Sequence, residues 1–239
     1  MPRTSDADER LLIAALELIW KNSYHATSVD DICHAAGVRK GSFYHFFVSK
    51  SQLALAALEA DWGRKKSALD ELFSPTVPPL QRITGYFDRV AKMQRARRGQ
   101  CGCVLGCPFF SLGSEVGTQN TALGARIREI LDCQILYFET AIRDAHAQRL
   151  VLAPNARATA RILFAFYQGT LAQARIRNDL RLLAELHTGA LALLGARRPH
   201  RGGRPAASPQ HPIPNTRHPI NSAVPQSRDE PSSADTTRR

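Results

Sequence analysis

The sequence has no run of 18 apolar residues, so no segment reads as a membrane span. Alternating Val/Ile/Thr segments are scarce as well, which argues against strands and leaves Ala- and Leu-rich helical patterning. At the start, MPRTSDADERLLIAALELIW, acids precede the apolar stretch, Glu17 interrupts it and no small-residue cleavage site follows. A signal peptide is therefore not expected, and the protein is expected to be cytoplasmic. Cysteines are few and odd in number (Cys33, Cys101, Cys103, Cys107 and Cys133), which in a reducing compartment excludes a disulfide framework. Cys107, the residue a thiol-dependent enzyme would use, has no His paired with it by sequence and no evident general base, so the chain does not read as an enzyme.

The 239 residues are 44% hydrophobic, enough for a sizeable core. The formal net charge is +11, which is compatible with a nucleic-acid partner, but its distribution qualifies that reading. Residues 1–50 hold six Lys/Arg and six Asp/Glu, and the segment from Arg197 onward carries eight Arg against three acids. The informative feature is local: from Ile32 to Leu58 there are three bases, Arg39, Lys40 and Lys50, and no acid.

Periodicity predicts an all-α chain. Helices are expected at Asp6–Asn22, Val29–Ala36, Lys40–Phe46, from the Ser49 cap to Leu72, and at Leu80–Arg97, Phe109–Glu115, Asn120–Ala147, Asn155–Asn178 and Leu180–Leu194. Thr27 and Ser28 offer N-caps, with Asp30 and Asp31 three residues on, and Gly37 ends the second helix. Gly99–Pro108 holds three Gly, three Cys and one Pro and is expected to be loop. From residue 197, eight of the fourteen prolines accompany Ser and Arg, a composition that predicts disorder. Three parts follow: a three-helix DNA-binding domain over 1–50 with a helix-turn-helix, a helical effector-binding and dimerisation domain over 51–196, and a basic Pro-rich tail over 197–239. The tail is either inert or a nonspecific DNA-touching arm.

Residues 26–58 read as two short helices joined by a tight turn at Gly37. Val29, Ile32, Ala36, Val38 and Phe43 are spaced for a shared core, and Arg39, Lys40, Ser42, Tyr44 and His45 lie on the other face of the second helix. A helix of that size fits the major groove. Thr27, Ile32, Ala36, Gly37, Val38, Gly41, Tyr44, Phe46, Phe47 and Lys50 resemble the signature of the TetR/AcrR family of repressors. The resemblance covers about residues 8–60. It implies a homodimer that binds a pseudo-palindromic operator in double-stranded DNA and releases it when an effector binds. By match to the motif, the DNA contacts would be Thr27, Lys40, Gly41, Ser42, Tyr44, His45 and Lys50. Tyr44 and Lys50 would hold phosphates, while Lys40, Ser42 and His45 would read bases. Arg39 departs from the usual Ser/Thr cap and adds a cation open to base reading. Cys33 replaces the usual Ala and reads as a small core residue.

GCPFFSLGSEV, residues 106–116, resembles a segment of a NemR-like branch of that family, which senses electrophiles and oxidants. Cys107 matches the branch's cysteine and Glu115 its acid; Cys101 and Cys103 add a C-x-C the branch does not require. Three readings stay open. Three thiols could converge on a soft metal or metalloid ion such as As(III), Sb(III), Cu(I) or Zn(II), acting as an effector without any cofactor being required. One thiol could be oxidised or alkylated and another resolve it, with Arg95, Arg97 and Arg98 favouring the thiolate. Or Cys107 is simply buried at a helix start and the other two cysteines are incidental.

Phe87, Met93, Phe109, Phe110, Tyr137, Phe138, Phe164 and Tyr167 are candidates to line an apolar effector cavity, or else to form ordinary core. The last two helices resemble the family's dimer-forming pair, where Gly169, Ala172 and Gly189 would permit close approach. Outside the regulator class, the alternatives are a thiol-dependent enzyme and a metal-buffering protein that shows no sequence-preferring DNA binding. Within it, the alternative is a hydrophobic inducer with structural cysteines.

Overall fold

The computed structural model describes residues 6–196, which form a single all-helical body with no strand among them. The expectation for 197–239 lies outside the described residues. The helices are α1 (Asp6–Asn22), α2 (Val29–Ala36), α3 (Lys40–Phe46), α4 (Lys50–Leu72), α5 (Pro79–Cys101), α6 (Pro108–Val116), α7 (Thr121–Ala147), α8 (Ala156–Arg177) and α9 (Glu185–Leu193); a 3₁₀ turn, Leu180–Ala184, leads into α9.

The first three helices are set by local chemistry. The Ser28 side chain accepts from Asp31 N at 3.0 Å, and Asp31 Oδ2 accepts from Ser28 N at 2.8 Å, a reciprocal box that starts α2. Gly37 ends α2 at φ +62°, a left-handed conformation that a side chain would strain. Arg39 stands at the start of α3 with no side-chain cap, so the held position of α3 comes from packing. Its one buried residue, Phe43, is fully enclosed in a core that includes Leu11, Ile32, Ala36 and Leu53.

The helix α4 spans from this head into the rest of the body, with Leu53, Ala57, Leu58, Trp62 and Leu69 buried along it. It packs against α1 at one end and α7 along its length, while α7 and α8 pack together as the centre of the body. The connector after α4 is fastened by Arg82, whose guanidinium is buried and donates to Asp144 Oδ2 at 2.5 Å and to the carbonyls of Val77 at 2.7 Å and Pro75 at 3.1 Å. One expectation changes here: Gly189 faces Phe166 of the same chain, so the space beside it is already filled within the monomer.

Candidate nucleic-acid interface and effector sites

On α3 the fully enclosed Phe43 turns the opposite face outward. Arg39, Lys40, Gly41, Ser42, Tyr44 and His45 are all exposed. The sequence did not single out Val48, which is exposed beside them and has its N–H donated to Gln52 Oε1 at 2.7 Å. Its signal was a β-branched apolar residue outside the shared-core spacing. Lys40 is not free: its Nζ stands 2.8 Å from Asp30 Oδ1 and 3.0 Å from Oδ2 on the neighbouring helix. The carboxylate's hydrogen bond, then its charge, raises the Lys40 pKa.

Two expected DNA contacts have other duties. Thr27 is buried, and its Oγ1 donates to the Ser23 carbonyl at 2.7 Å, so its side chain does not reach the surface. Lys50 is half-buried. Its ammonium donates to the carbonyls of Tyr24 and Thr27, both at 2.9 Å, and lies 4.2 Å from the Tyr24 ring centroid. Of its three donors two are used, which leaves one for a phosphate. Lys50 is thus first a staple that fixes the α1–α2 loop to the start of α4.

The segment after α5 is tightly held. Helix α5 runs on to Cys101, past the expected end at Arg97 and through Gly99. Gln94, fully buried, donates from Nε2 to Gly106 O at 2.8 Å and accepts at Oε1 from Leu105 N and Gly106 N, both at 3.1 Å. Trp20 Nε1 donates to Leu105 O at 3.0 Å, and Asn178 accepts from Val104 N and donates to Gly102 O. Six backbone polar groups between Gly102 and Gly106 therefore have side-chain partners, which satisfies them where the loop is buried.

This arrangement separates the three cysteines. Cys101 and Cys103 are half-buried with their sulfurs 3.3 Å apart. Cys107 is buried at the N-cap of α6, and burial pushes its thiol pKa up. Among the described residues no three His, Cys, Asp or Glu side chains gather where they could hold a metal ion. Of the three cysteine readings, burial of Cys107 at a helix start is what the geometry shows, and the described residues bring only the Cys101 and Cys103 sulfurs together. Cys33 is buried in the core of the head, as the sequence suggested.

Cys107 lines a cavity of about 240 Å³ bounded by α4, α5, α6, α7 and α8. Of the expected lining residues, Met93, Phe109 and Tyr167 are there. Phe87 and Phe138 instead stack on one another in the core, with centroids 5.9 Å apart. Phe110 and Phe164 line a separate groove between α7 and α8, and the Tyr137 hydroxyl points outward to Asp70. The sequence reading missed Trp62, Lys65, Leu69, Tyr86, Arg89 and Gln134 as lining residues. Their signal was present: Trp62/Lys65/Leu69 and Tyr86/Arg89/Val90/Met93 share one helical face each. The walls are apolar, the buried hydroxyls of Tyr86 and Tyr167 meet at 3.4 Å, and the lining cations are Lys65, whose ammonium is paired with Asp61, and Arg89, which donates to the Ala68 carbonyl. Burial raises the pKa of both tyrosines, so both stay neutral donors.

Helix α6 connects that cavity to the head. Its first turn, Pro108 and Phe109, forms cavity wall; its last turn carries Glu115, whose carboxylate accepts from Tyr24 N at 2.8 Å and His25 N at 2.7 Å. Arg175 of α8 adds a second link, donating to Ser111 Oγ at 2.7 Å and to Trp20 O at 3.2 Å.

The model of bacterial regulatory proteins of the tetR family matches residues 11–57. The transcriptional regulator AcuR of Cereibacter sphaeroides is 38% identical over 118 residues, 48% of this chain and 52% of AcuR, so the match spans about half of that relative's length. The transcriptional repressor NemR of Escherichia coli is 27% identical over 179 residues, 73% of this chain and 86% of NemR. Among solved structures, a TetR regulatory protein from Rhodobacter sphaeroides shares 26% identity at TM-score 0.69, covering 78% of this chain and 97% of that one. The reduced form of E. coli NemR shares the fold at TM-score 0.70 and 22% identity, covering 80% and 98%.

Proposed function

We propose that this chain, whose residues 11–57 match the tetR-family model, is a TetR/AcrR-type transcriptional repressor that binds a pseudo-palindromic DNA operator as a homodimer and leaves it when an effector occupies the cavity beside Cys107. It is a DNA-binding regulator and not an enzyme. The observation that carries the proposal is the exposed face of α3, with Arg39, Lys40, Ser42, Tyr44 and His45 projecting from a helix that Phe43 anchors. Such a helix presents its side chains to base edges in the major groove, and two of them one DNA turn apart read a palindrome. Acting on DNA sets its place of work in the cytoplasm.

The dimer face we assign to α8 and α9. Ile162 and Ile176 are exposed on α8 with Ala165 and Gly169 between them, and Leu193 is exposed on α9. The effector we assign by the cavity's chemistry is a small, mainly apolar molecule, with Lys65 and Arg89 suited to an acidic end. Its binding would act on α6, and Glu115 would transmit the shift to the α1–α2 loop. Coupling requires only that the two head positions differ in effector affinity.

The test is selection of duplexes from a random library by the full chain, followed by mass measurement of the selected complex. A palindromic consensus bound by two chains is the expected result. Enrichment without a consensus, or one chain per duplex, would overturn it.

A further inference from the structure

We propose that Cys101 and Cys103 are a dithiol switch of their own, distinct from Cys107: a low-molecular-weight disulfide oxidises the pair to an intrachain disulfide, and its closure alters the junction between α8 and α9. The pair is built, not incidental. The sulfurs lie 3.3 Å apart, whereas a disulfide needs about 2.05 Å, so joining them takes a small local movement. The residue between them, Gly102, has φ +76° and open space where a Cβ would be, which lets the backbone take up that movement.

The two thiols are electrostatically unequal. Burial works against the Cys101 thiolate, but hydrogen bonding with the Cys103 main chain and thiol, together with Lys21 and Arg97, brings its pKa below the ordinary thiol value. The bond shared with Cys101, with burial second, holds the Cys103 proton more firmly. Cys101, at the end of α5 beside Arg97 and Lys21, is taken as the attacking sulfur and Cys103 as the resolving one. In the first step the Cys101 thiolate attacks one sulfur of the small disulfide; a Cys101 mixed disulfide forms and one small thiolate leaves. In the second, Cys103 loses its proton and displaces the second small thiolate. Two protein thiols become one disulfide, two electrons pass to the reagent, and the two protons leave on its two thiols. With only two thiolates together, the pair suits this exchange better than a three-coordinate soft ion.

One side chain ties the pair to the far helices. Asn178 donates from Nδ2 to the Gly102 carbonyl at 3.0 Å and accepts at Oδ1 from Val104 N at 2.9 Å, spanning Cys103. Asn178 is also the left-handed C-cap of α8, directly before the turn into α9. A twist of the Gly102 peptide acts on that cap. The consequence for DNA rests on the regulator reading above; the chemistry and the coupling do not.

The experiment treats the full chain with oxidised glutathione and counts thiols. Two of the five cysteines should be lost reversibly to dithiothreitol, and the Cys107→Ser variant should lose two as well. Cys103→Ser should stop at one glutathione adduct on Cys101. Amide exchange over residues 174–184 should speed up at least several-fold on oxidation of the wild type and not in Cys101→Ser. A Cys101–Cys107 link, or full retention of thiols in Cys107→Ser, would overturn the assignment of the pair. Unchanged exchange at 174–184 in the oxidised chain would overturn the coupling. No readout uses DNA, so a failure here is distinguishable from a failure of operator binding.

Discussion

Glu115 Oε1 stands 2.7 Å from both His25 N and His25 Nδ1, so the last turn of α6 grips the loop that positions α2 and α3. Burial works against the carboxylate, but the N–H groups of His25 and Tyr24, with the His25 ring, hold the Glu115 pKa below its ordinary value. A group lowered in the folded state stabilises it fully above its unfolded pKa, near 4.3, and that stability is lost as pH falls through the lowered value. Wild-type stability should therefore decline below about pH 4, and Glu115→Gln should flatten that decline. At neutral pH the substitution exchanges charge-assisted bonds for weaker ones and should cost about 1–2 kcal/mol, read by urea denaturation. If α6 is the lever, Glu115→Gln should also raise the effector concentration needed for DNA release. An unchanged dose response would remove this contact from the coupling route.

If α3 enters the groove as proposed, Asp30 competes with DNA for Lys40. Both side chains are more than half exposed, so their ion pair adds little to stability. Removing the acid also removes a negative charge facing phosphates. Asp30→Asn should leave the melting temperature nearly unchanged and tighten operator binding by roughly three- to tenfold at low salt, with the gain shrinking as salt rises. Weaker binding would mean that Asp30 itself contacts the operator. Lys40→Ala should change base preference, which a mutated-operator series measures.

The boundaries of α2 and α3 were legible in the sequence because they are set by neighbours: the Ser28–Asp31 box, Gly37, and the apolar spacing from Ile32 to Phe43. The end of α5 was not. Gly99 reads as a breaker, yet a helical glycine costs only about 1 kcal/mol against alanine, and the left-handed stop falls at Gly102 instead. The cysteine cluster stayed open for a related reason. Closeness in sequence says nothing of direction, and the α6 N-terminus turns Cys107 into the cavity while Cys101 and Cys103 stay together. Aromatic spacing likewise marked buried faces without saying which rings pack within the core, as Phe87 and Phe138 do, and which also border a void, as Phe109 does beside Trp62.

The Lys50 staple predicts a loss that phosphate contact alone does not. Lys50→Ala leaves two carbonyls of the α1–α2 loop without their cation and should destabilise the chain by about 1–2 kcal/mol. DNA affinity should fall for all sequences alike. Lys50→Arg should recover part of the stability if one guanidinium can span both carbonyls. A Lys50→Ala chain of wild-type stability would reduce Lys50 to a surface phosphate contact. Thr27→Val, which removes the buried hydroxyl bond and little volume, should also destabilise without a specific change in base preference.

The cavity makes the last prediction, and Trp62 in its wall supplies the readout. The other tryptophan, Trp20, lies outside that lining, so Trp20→Phe leaves Trp62 as the sole reporter. Trp20 Nε1 donates to the loop carbonyl of Leu105, so this variant should lose about 1 kcal/mol and still fold. An anion with an apolar body, 1-anilinonaphthalene-8-sulfonate, matches apolar walls flanked by Lys65 and Arg89 and should quench Trp62 saturably. Met93 is half-buried on the wall, and Met93→Trp places bulk in the void instead of in packed core. In the Trp20→Phe background it adds a second indole to the same cavity, so dye binding is then followed by dye emission. Stability should change by less than about 1.5 kcal/mol, while dye affinity should fall at least tenfold. Lys65→Met should weaken the anion and spare a neutral apolar analogue. If dye binds Met93→Trp as it binds the parent, the cavity beside Cys107 is not where small apolar anions enter, and the groove at Phe110 and Phe164 becomes the place to look.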